Sequence, residues 1–479
     1  DKGGECELQD MTFKYGAGES RFVDIKHHVP EKQFSPLVYF DAPRCILCYR
    51  CVRVCDEGMG VNALGVGFRG VLSEIIPNQG DHLNCDECGA CIDVCPVGAL
   101  TSDTYRYKTR PWEMKHVGTT CAHCSNGCKT TLGVRNDEII RANNRDKGGL
   151  NDEFLCIKGR FGWDFNQHAE RLQSPLMKID GKLEPVSWSQ ALKAVAEKFT
   201  AVQNTGGAFG VIGSNRITNE ENYFLQKFAR QGLRTANIDH VRTGDVASLV
   251  SALSGKTGKL ATMADVYSAK AAVVIGSDLA QQHPLLAYEL RRNWRHHNAR
   301  VYAITRGPVR EDKYAVSTTR VEPGHELGAL AALRDQLSKE SELLILFGDS
   351  IQGEKVNELV AFGESLGIPV KYIALVDYQN SRGAVDLGVT PDLEPGYRVA
   401  AQRGQTIAEM MANPDLAALW VVGEDPCAGG RRPAAANVFL VVQDLFLTET
   451  AAHADVVLPS SSAYEKKGTV TNVTVEVQR

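Results

Sequence analysis

Twelve of the fourteen cysteines fall between Cys45 and Cys156, and this clustering constrains the fold more than any other feature. Only Cys6 and Cys427 lie outside it. Dense cysteines in a small secreted domain indicate disulfides, but here they occupy one part of a long chain without an export signal, where metal binding is favoured. We therefore expect a reducing cytoplasmic setting, and metal clusters that organise this region in place of a large hydrophobic core.

One cysteine spacing, C-x2-C-x2-C-x3-C, occurs twice, at 45–55 and 85–95. Three thiolates three residues apart let one tight loop bind three corners of a [4Fe-4S] cubane, and the fourth cysteine, expected at the start of the following helix, reaches the other cluster. The predicted ligand sets are Cys45, Cys48, Cys51 with Cys95, and Cys85, Cys88, Cys91 with Cys55. Zinc is the alternative, although zinc sites pair two C-x2-C knuckles and use no third cysteine at the same step.

A third cysteine group indicates one further [4Fe-4S] cluster. Its members are Cys121, Cys124, Cys128 and Cys156. Four soft thiolates with no spare cysteine nearby satisfy an all-cysteine cubane site, and zinc held by the same thiolates is the lesser alternative. We expect His123 beside the cluster or at the surface rather than among the ligands. Lys158 either carries a solvated charge or hydrogen-bonds near the cluster and tunes its potential.

Changes of composition along the chain predict four regions. Residues 1–40 are a polar lead-in, residues 41–110 carry eight cysteines in a small cluster-organised fold, and residues 114–170 hold the third group. In residues 171–479 short apolar runs alternate with helical patterns, a βα rhythm typical of a mostly parallel sheet. The predicted architecture is an α+β ferredoxin-like iron-sulfur region followed by a large α/β domain.

Eight apolar runs in the last region predict strands at 208–213, 271–276, 301–305, 343–348, 370–375, 418–423, 439–442 and 456–459. Helices are predicted at 218–231, where Thr218 and Glu221 form a capping pair, and at 284–294, where Pro284 opens the helix. Four of the strands end in glycine followed by polar residues, and ligands of open α/β sheets bind beyond the carboxyl ends of strands. These loops either line a pocket or are simple turns; they are 213–215, 276–278, 348–350 and 423–425.

Charge and hydropathy exclude two classes of partner. The net charge of −5 comes from 53 basic and 58 acidic residues with no long run of either sign, which argues against nucleic-acid binding. No apolar run approaches the ~18 residues that span a bilayer. The chain opens on Asp1 and ends in what reads as an interrupted strand at 475–479, so we expect a fragment that is open at both ends. Cys427 is expected to be a free structural thiol.

Over its whole length the chain resembles the large iron-sulfur subunits (G subunits) of bacterial NADH-quinone oxidoreductase, respiratory complex I, which are related to the molybdopterin formate dehydrogenases. The matching segments are 1–10, 45–56, 85–101, 121–128, 156–165, 218–230 and 442–471. In that family a His-x3-Cys-x2-Cys-x5-Cys set holds a cluster, and Cys6 matches its final cysteine if a Cys precedes Asp1. The resemblance therefore implies one further cluster through Cys6, in a truncated N-terminal iron-sulfur domain that ends in residues 1–40, and a [2Fe-2S] domain upstream.

Two enzyme classes share this scaffold, and features of the chain point to both. Formate dehydrogenases carry a Cys or selenocysteine that ligates molybdenum, whereas residues 237–246 contain no cysteine and resemble complex I. The segments 158–160 and 383–397 resemble formate dehydrogenases, as does the complete second ferredoxin run, because many complex I versions keep only the equivalents of Cys45, Cys48, Cys51 and Cys95. We expect no molybdenum.

The resemblance implies an electron-transfer subunit that carries electrons from NADH, oxidised on a partner subunit, towards quinone, with no catalytic residue of its own. The implied partners are the other peripheral-arm subunits of complex I, including the NADH-binding subunit, at the cytoplasmic face of the bacterial inner membrane. In complex I the cluster equivalent to the third group lies off the main electron route. The alternatives are a formate dehydrogenase or hydrogenase-linked subunit that binds a molybdopterin dinucleotide, and a non-redox assembly scaffold.

Overall fold

Strand pairing separates a cysteine-bearing N-terminal part from a C-terminal part built on two sheets, in a computed structural model that describes residues 2–25 and 28–479. The N-terminal helices are Glu7–Tyr15, Arg50–Arg53, Ala90–Val94 and Ile157–Phe161. The N-terminal strands are Lys32–Gln33, Val38–Phe40, Leu64–Gly67, Glu74–Pro77, Leu100–Ser102, Lys115–Thr120, Lys129–Arg135 and Glu138–Asn143.

The ferredoxin-like region is closed by a small antiparallel sheet. Val38–Phe40 pairs with Lys32–Gln33 on one side and with Leu100–Ser102 on the other, so the strands before and after the two cysteine runs are neighbours. The core below this sheet contains thiols as well as apolar side chains: Cys51, Cys91 and Cys95 are buried in it. The predicted ferredoxin-like fold is confirmed, and its cysteines form part of its core.

The third cysteine group lies at one end of a second antiparallel sheet, in which Lys129–Arg135 is the central strand. Cys121, Cys124 and Cys128 occupy the connection between the first two strands of this sheet, and Cys156 is the N-cap of helix Ile157–Phe161. A sheet of six- and seven-residue strands thus holds the loop, while a separate helix brings the fourth cysteine to it.

The C-terminal part contains two sheets with helices packed against them. The seven-stranded sheet has the order Lys182–Pro185, Leu176–Ile179, Val456–Pro459, Phe439–Asp444, Leu416–Val422, Ala208–Ile212, Ile238–Asp239. The five-stranded sheet has the order Ser317–Arg320, Arg300–Thr305, Ala271–Ile275, Leu343–Phe347, Val370–Ala374. All pairings are parallel except those of the edge hairpin at 176–185. The predicted α/β domain with mostly parallel sheets is confirmed.

Central strands such as Ala271–Ile275 and Leu343–Phe347 are buried at every residue, because helices cover both faces of a parallel sheet. The helices are Trp188–Asn204, Asn219–Lys227, Val246–Ala252, Met263–Ser268, Leu279–Gln282, Pro284–His297, Glu326–Ala332, Arg334–Leu337, Glu354–Ser365, Ser381–Asp386, Ile407–Ala412 and Glu449–His453. Two short hairpins complete the elements: Leu393–Glu394 with Arg398–Val399, and Val470–Thr471 with Val477–Gln478.

The eight predicted strands are all present, and both predicted helices begin where their caps indicated. Thr218 accepts the backbone N–H of Glu221, whose carboxylate accepts the backbone N–H of Thr218. This helix is shorter than predicted, since a wider helical turn, Phe228–Gly232, replaces its last residues. The second helix extends to His297, where Asn298 in the left-handed region ends it.

The last described residues reach back to the third cysteine group. Val473 donates its backbone N–H to the Ser125 carbonyl at 2.8 Å, and the Gln478 side chain donates to the Gly127 carbonyl at 2.6 Å. The C-terminal hairpin therefore supports the loop from outside. In the part of the chain that the structure describes, no helix is both long and apolar enough to span a bilayer.

Candidate metal centres

The two ferredoxin-like runs share one backbone conformation. Leu47 and Tyr49 have φ of 52° and 60°, and Glu87 and Gly89, at the matching positions of the second run, have φ of 52° and 68°. Left-handed residues turn the chain sharply, so each loop curls around its cysteines. In both loops the first thiol accepts a backbone N–H two residues on, that of Leu47 at 3.4 Å in the first run and that of Glu87 at 3.3 Å in the second.

Each of two cavities in this region is lined by four cysteines. The first cavity is lined by Cys45, Cys48, Cys51 and Cys95. The second cavity is lined by Cys55, Cys85, Cys88 and Cys91. Each takes three thiols from one run and the fourth from the other, which is the placement that cross-ligation requires. Within the described residues no three His, Cys, Asp or Glu side chains converge on a single-ion site; the thiols surround these cavities instead.

The expectation that the fourth cysteine begins a helix is wrong. Each helix starts before the third cysteine, directly after the left-handed residue Tyr49 or Gly89, which acts as its N-cap. The fourth cysteine lies at the far end: Cys95 is the C-cap of Ala90–Val94, and Cys55 lies in the wide turn Val54–Gly58 that continues Arg50–Arg53. One helical length therefore separates the third thiol from the fourth and carries the fourth to the other cavity.

Burial raises the pKa of most of these thiols. It raises the pKa of Cys51 to about 12, helped by the nearby Cys95 thiol, and that of Cys85 to about 12. It raises the pKa of Cys88 to about 11 against the opposing effects of a backbone N–H and of the Arg160 charge. A cysteine must lose its proton to bind iron, so cluster binding at these sites is coupled to proton release.

The four cysteines of the third group are brought together as predicted from the sequence. Burial is the main cause that raises the pKa of Cys121, Cys124 and Cys128, that of Cys124 to about 12, and neighbouring thiols of the group add to the rise. Cys121 donates its backbone N–H to the Cys128 carbonyl at 2.8 Å, which closes the loop. Loop and helix therefore present four thiols to one buried place.

The second and third cysteine groups share one apolar cluster. It contains Cys121, Cys128 and Leu155, together with Met59 and Tyr288, and Cys88 and Cys156 pack against it. Leu155 has no exposed surface. The second and third groups are thus separated by a dry, packed layer of side chains.

Arg160 joins these two groups directly, which sequence analysis did not foresee. Its Nε donates to the Cys88 carbonyl at 2.7 Å, and its Nη1 forms an ion pair with Asp93. Gly89 makes room for it, because a Cβ at Gly89 would lie 2.4 Å from Arg160 Cδ. The only hint in the sequence is the glycine inside the second run, where the first run has Tyr49.

The remaining candidate residues occupy distinct places. Cys6 is the N-cap of Glu7–Tyr15, where its sulfur accepts the Gln9 N–H at 3.3 Å, and it packs against the core that contains Cys95. His123 lies 2.7 Å from the Gly162 carbonyl through Nε2, and burial lowers its pKa. The charge of Lys158 acts on Cys121 and Cys124. Cys427 is fully buried, as expected of a structural thiol.

A large cavity of about 1020 Å³ lies beyond the carboxyl ends of the seven-stranded sheet, and His123 of the third group lines it. Ser214, Glu424 and Asp425 from two of the four glycine-ended loops line it as well. The loops at 276–278 and 348–350 are not among its described lining residues. The expectation that all four loops line one pocket is wrong, because the four strands belong to two different sheets.

The fold and the cysteine groups define an iron-sulfur protein of the molybdopterin oxidoreductase type. The chain belongs to the molybdopterin oxidoreductase family, whose sequence profile matches residues 171–479. The profile of the molybdopterin oxidoreductase Fe4S4 domain matches residues 114–168, and that of the NADH-quinone oxidoreductase subunit 3 ferredoxin-like domain matches residues 35–101.

The resemblance to the large iron-sulfur chain of NADH-quinone oxidoreductase is confirmed. The second G-type chain of the NADH-quinone oxidoreductase of Rhizobium meliloti (strain 1021) is 34% identical over 98% of this chain and 64% of its own length. The NADPH-Fe(3+) oxidoreductase subunit alpha of Geobacter sulfurreducens (strain DL-1 / KN400) is 28% identical over 100% of this chain and 66% of its own. This chain therefore spans only part of the length of these relatives.

The fold agrees with a solved structure. The structure of acetylene hydratase from Pelobacter acetylenicus superposes with a TM-score of 0.55 and 15% identity, over 75% of this chain and 64% of that one. At this identity the likeness shows the fold alone.

The family implies a pterin dinucleotide in the large cavity, and the lining does not fit it. Four carboxylates, Glu221, Glu424, Asp425 and Asp444, face two cations, Arg216 and Lys466. Lys466 is already bound to Glu221, at 2.8 Å. Burial raises the pKa of Glu424 to about 7, with Arg216 opposing and Asp444 adding to the rise. Phosphate groups are bound by cations and helix N-termini, so this acidic lining disfavours a dinucleotide.

Proposed function

We propose that the chain is an electron-transfer subunit of a bacterial NADH-quinone oxidoreductase, which carries electrons from NADH, oxidised on a partner subunit, towards quinone. The observation that carries the proposal is the placement of twelve cysteines in three groups of four, in a chain similar along its length to the large iron-sulfur chain of that enzyme. When bound, a [4Fe-4S] cluster accepts and releases one electron at a time. The chain supplies no catalytic residue and no NADH site.

The proposed cofactors are three [4Fe-4S] clusters. The proposed ligand sets are Cys45, Cys48, Cys51 and Cys95; Cys55, Cys85, Cys88 and Cys91; and Cys121, Cys124, Cys128 and Cys156. We also propose Cys6 as a ligand of one further cluster, whose other ligands, like a [2Fe-2S] domain, would precede residue 1. The position of Cys6 beside the Cys95 core supports a short separation between that cluster and the first set.

The protein around each site excludes water and hydrogen-bonds the sulfurs. Ile75 and Leu100 line the first cavity and are almost fully buried. The Cys55 sulfur accepts the Ala63 N–H at 3.2 Å in the second. Burial and N–H···S bonds are the means by which a protein sets cluster potentials. These residues would therefore tune the three sites individually.

We propose as partners the other peripheral-arm subunits of complex I, including the NADH-binding subunit. The proposed location is the cytoplasmic face of the bacterial inner membrane, with the chain bound peripherally. The similarity to the Rhizobium meliloti chain supports both, because that relative is named as one subunit of a larger enzyme.

We propose further that the chain binds no molybdenum. The acidic lining of the large cavity and the lack of cysteine at 237–246 support this. The alternative is a formate dehydrogenase or hydrogenase-linked subunit, and the complete second cysteine set, which resembles those enzymes, is the observation in its favour. One molybdenum per chain after expression in a host that makes the pterin cofactor would establish the alternative.

Metal analysis of the anaerobically reconstituted chain tests the proposal. We expect iron and sulfide for three [4Fe-4S] clusters, a broad charge-transfer absorption, and neither zinc nor molybdenum in stoichiometric amounts. Iron for a single cluster, or stoichiometric zinc without charge-transfer absorption, would refute the cluster assignment. Loss of NADH:quinone reductase activity on deleting the gene in its host, restored by the full-length gene, tests the assignment to this enzyme.

A further inference from the structure

A cavity of about 390 Å³ lies between the ferredoxin-like region and the sheet of the third region. We call it the basic cavity. Ile92 and Asp93 of the helix between Cys91 and Cys95 form one wall, and Arg141 and Arg145, at the end of strand Glu138–Asn143 and just after it, form another. It shares no lining residue with the large acidic cavity or with the two thiol-lined cavities.

Its described lining is strongly cationic. Eight basic side chains and only three carboxylates, those of Glu5, Asp93 and Glu113, line it. The chain as a whole carries five more acidic than basic residues, so this concentration of positive charge is local. Charges of one sign gathered in a concave site attract and hold ions of the other sign.

The innermost charges are incompletely balanced. Glu5 binds Arg141 and, at 3.1 Å, Arg145, while Asp93 binds Arg160 and, at 3.4 Å, Arg145. Lys2 is buried beside them, and its ammonium donates only to backbone carbonyls, at 2.7 and 2.9 Å. Four cations therefore share two carboxylates.

Several N–H groups around the cavity also lack acceptors. Among the described residues, Arg106 Nη1, Arg141 Nε and Arg160 Nη2 have no hydrogen-bond partner. Arg141 and Arg160 are more than nine-tenths buried. Buried cations without acceptors are costly, and that cost falls when an anion accepts their hydrogen bonds.

From this cluster we infer an anion site: the basic cavity binds a phosphate-bearing small molecule of about mononucleotide size. The buried guanidinium groups suit phosphate oxygens, because their planar donors bind two oxygens at once. The volume exceeds what a single phosphate needs, and Tyr105, Tyr107 and Phe161 supply aromatic rings in the lining. Thr101 and Thr104 add hydroxyl donors.

Isothermal titration calorimetry of the reconstituted chain at 150 mM KCl tests the inference, with inorganic pyrophosphate and AMP as separate probes. We expect one site per chain for at least one probe. Tighter binding of AMP shows that the rings take part, and equal binding shows recognition of phosphate alone. Arg145→Gln should weaken binding about tenfold, as expected for the loss of one charge-assisted contact. This variant leaves Glu5 paired with Arg141 and Asp93 with Arg160, so the fold is retained.

Lys108→Gln, at the exposed rim of the cavity, should weaken binding severalfold without touching the buried pairs. Arg403→Gln removes a distant exposed arginine that pairs with Glu409, and it should bind as the unaltered chain does. Absence of binding by both probes, or equal binding by all variants, would overturn the inference. A potential shift of the Cys95-set cluster in Arg145→Gln without any binding would do so too, since the cations would then serve only as counter-charges to that cluster.

Discussion

Arg160 Nε donates a hydrogen bond to the carbonyl oxygen of Cys88 at 2.7 Å, across 72 residues of sequence. The backbone N–H of Arg160 meanwhile bonds to the Cys156 carbonyl at 3.1 Å. One residue is therefore bonded to a cysteine of the second group and to a cysteine of the third. The distance between these two groups depends on a buried guanidinium rather than on a flexible linker.

Arg160→Met should destabilise the chain by about 3–5 kcal/mol, because it removes one partner from a buried ion pair and leaves Asp93 with Arg145 alone. Urea unfolding of the reconstituted chain, followed by circular dichroism, measures this cost. The exposed pair Arg403–Glu409 provides the control, and Arg403→Met should cost less than about 1 kcal/mol. Equal costs for the two variants would mean that Arg160 does not tie the groups together.

Gly89→Ala should disturb the second cysteine loop. A Cβ there would lie 2.4 Å from Arg160 Cδ and 2.9 Å from Phe161 Cζ, and φ of 68° already disfavours a side chain. Gly70→Ala is the matched control, because Gly70 has φ of 63° with open space around it. Both variants bear the backbone strain, so Gly89→Ala should cost about 1–3 kcal/mol more in unfolding free energy. Similar costs would show that Arg160 yields freely to the new methyl group.

The cysteine groups could be predicted because their spacing acts over a few residues. The strands could be predicted because runs such as Ala271–Ile275 are apolar throughout, which a strand covered on both faces requires. The division of those strands between two sheets depends on long-range pairing that periodicity does not encode. The bonds from Arg160 to Cys88 and from Lys2 to Cys95 likewise join residues 72 and 93 positions apart.

The wrong placement of the fourth cysteine on its helix has a local cause. A C-x3-C step does not reveal that Tyr49 and Gly89 adopt left-handed conformations, and these residues set where each helix begins. A tyrosine at such a position carries none of the conformational preference that a glycine does. The helix start is therefore easier to predict in the second run, which has the glycine.

Cys55→Ser and Cys95→Ser should remove different clusters. Because Cys55 lines the cavity of Cys85, Cys88 and Cys91, its substitution should remove or convert that cluster and spare the other. Cys95→Ser should do the reverse, since Cys95 lines the cavity of the first run. Iron analysis and electron paramagnetic resonance of the reduced variants distinguish the two outcomes. Loss of the first-run cluster in Cys55→Ser would show that each run binds its own fourth cysteine.

The same two variants test the electron route in the intact enzyme. Many complex I versions keep only the set equivalent to Cys45, Cys48, Cys51 and Cys95, so Cys95→Ser should stop NADH-driven quinone reduction, whereas Cys55→Ser should slow it less. Membranes from the host that carries each variant provide the assay, with total enzyme content as the control. Equal loss in both variants would place the second set on the main route.

Glu424→Gln should stabilise the chain more at pH 8 than at pH 5. Burial raises the pKa of Glu424 to about 7, whereas an unfolded glutamate has a pKa of about 4.3. Between these values the folded state binds a proton that the unfolded state has lost, so stability falls as pH rises, by up to about 1.4 kcal/mol per pH unit. Glutamine carries no charge and removes this loss. Thermal unfolding by circular dichroism between pH 5 and 8 measures it, with the exposed Glu184→Gln as control. A Glu424→Gln stabilisation that is the same at both pH values would show that this carboxyl is already ionised at pH 5.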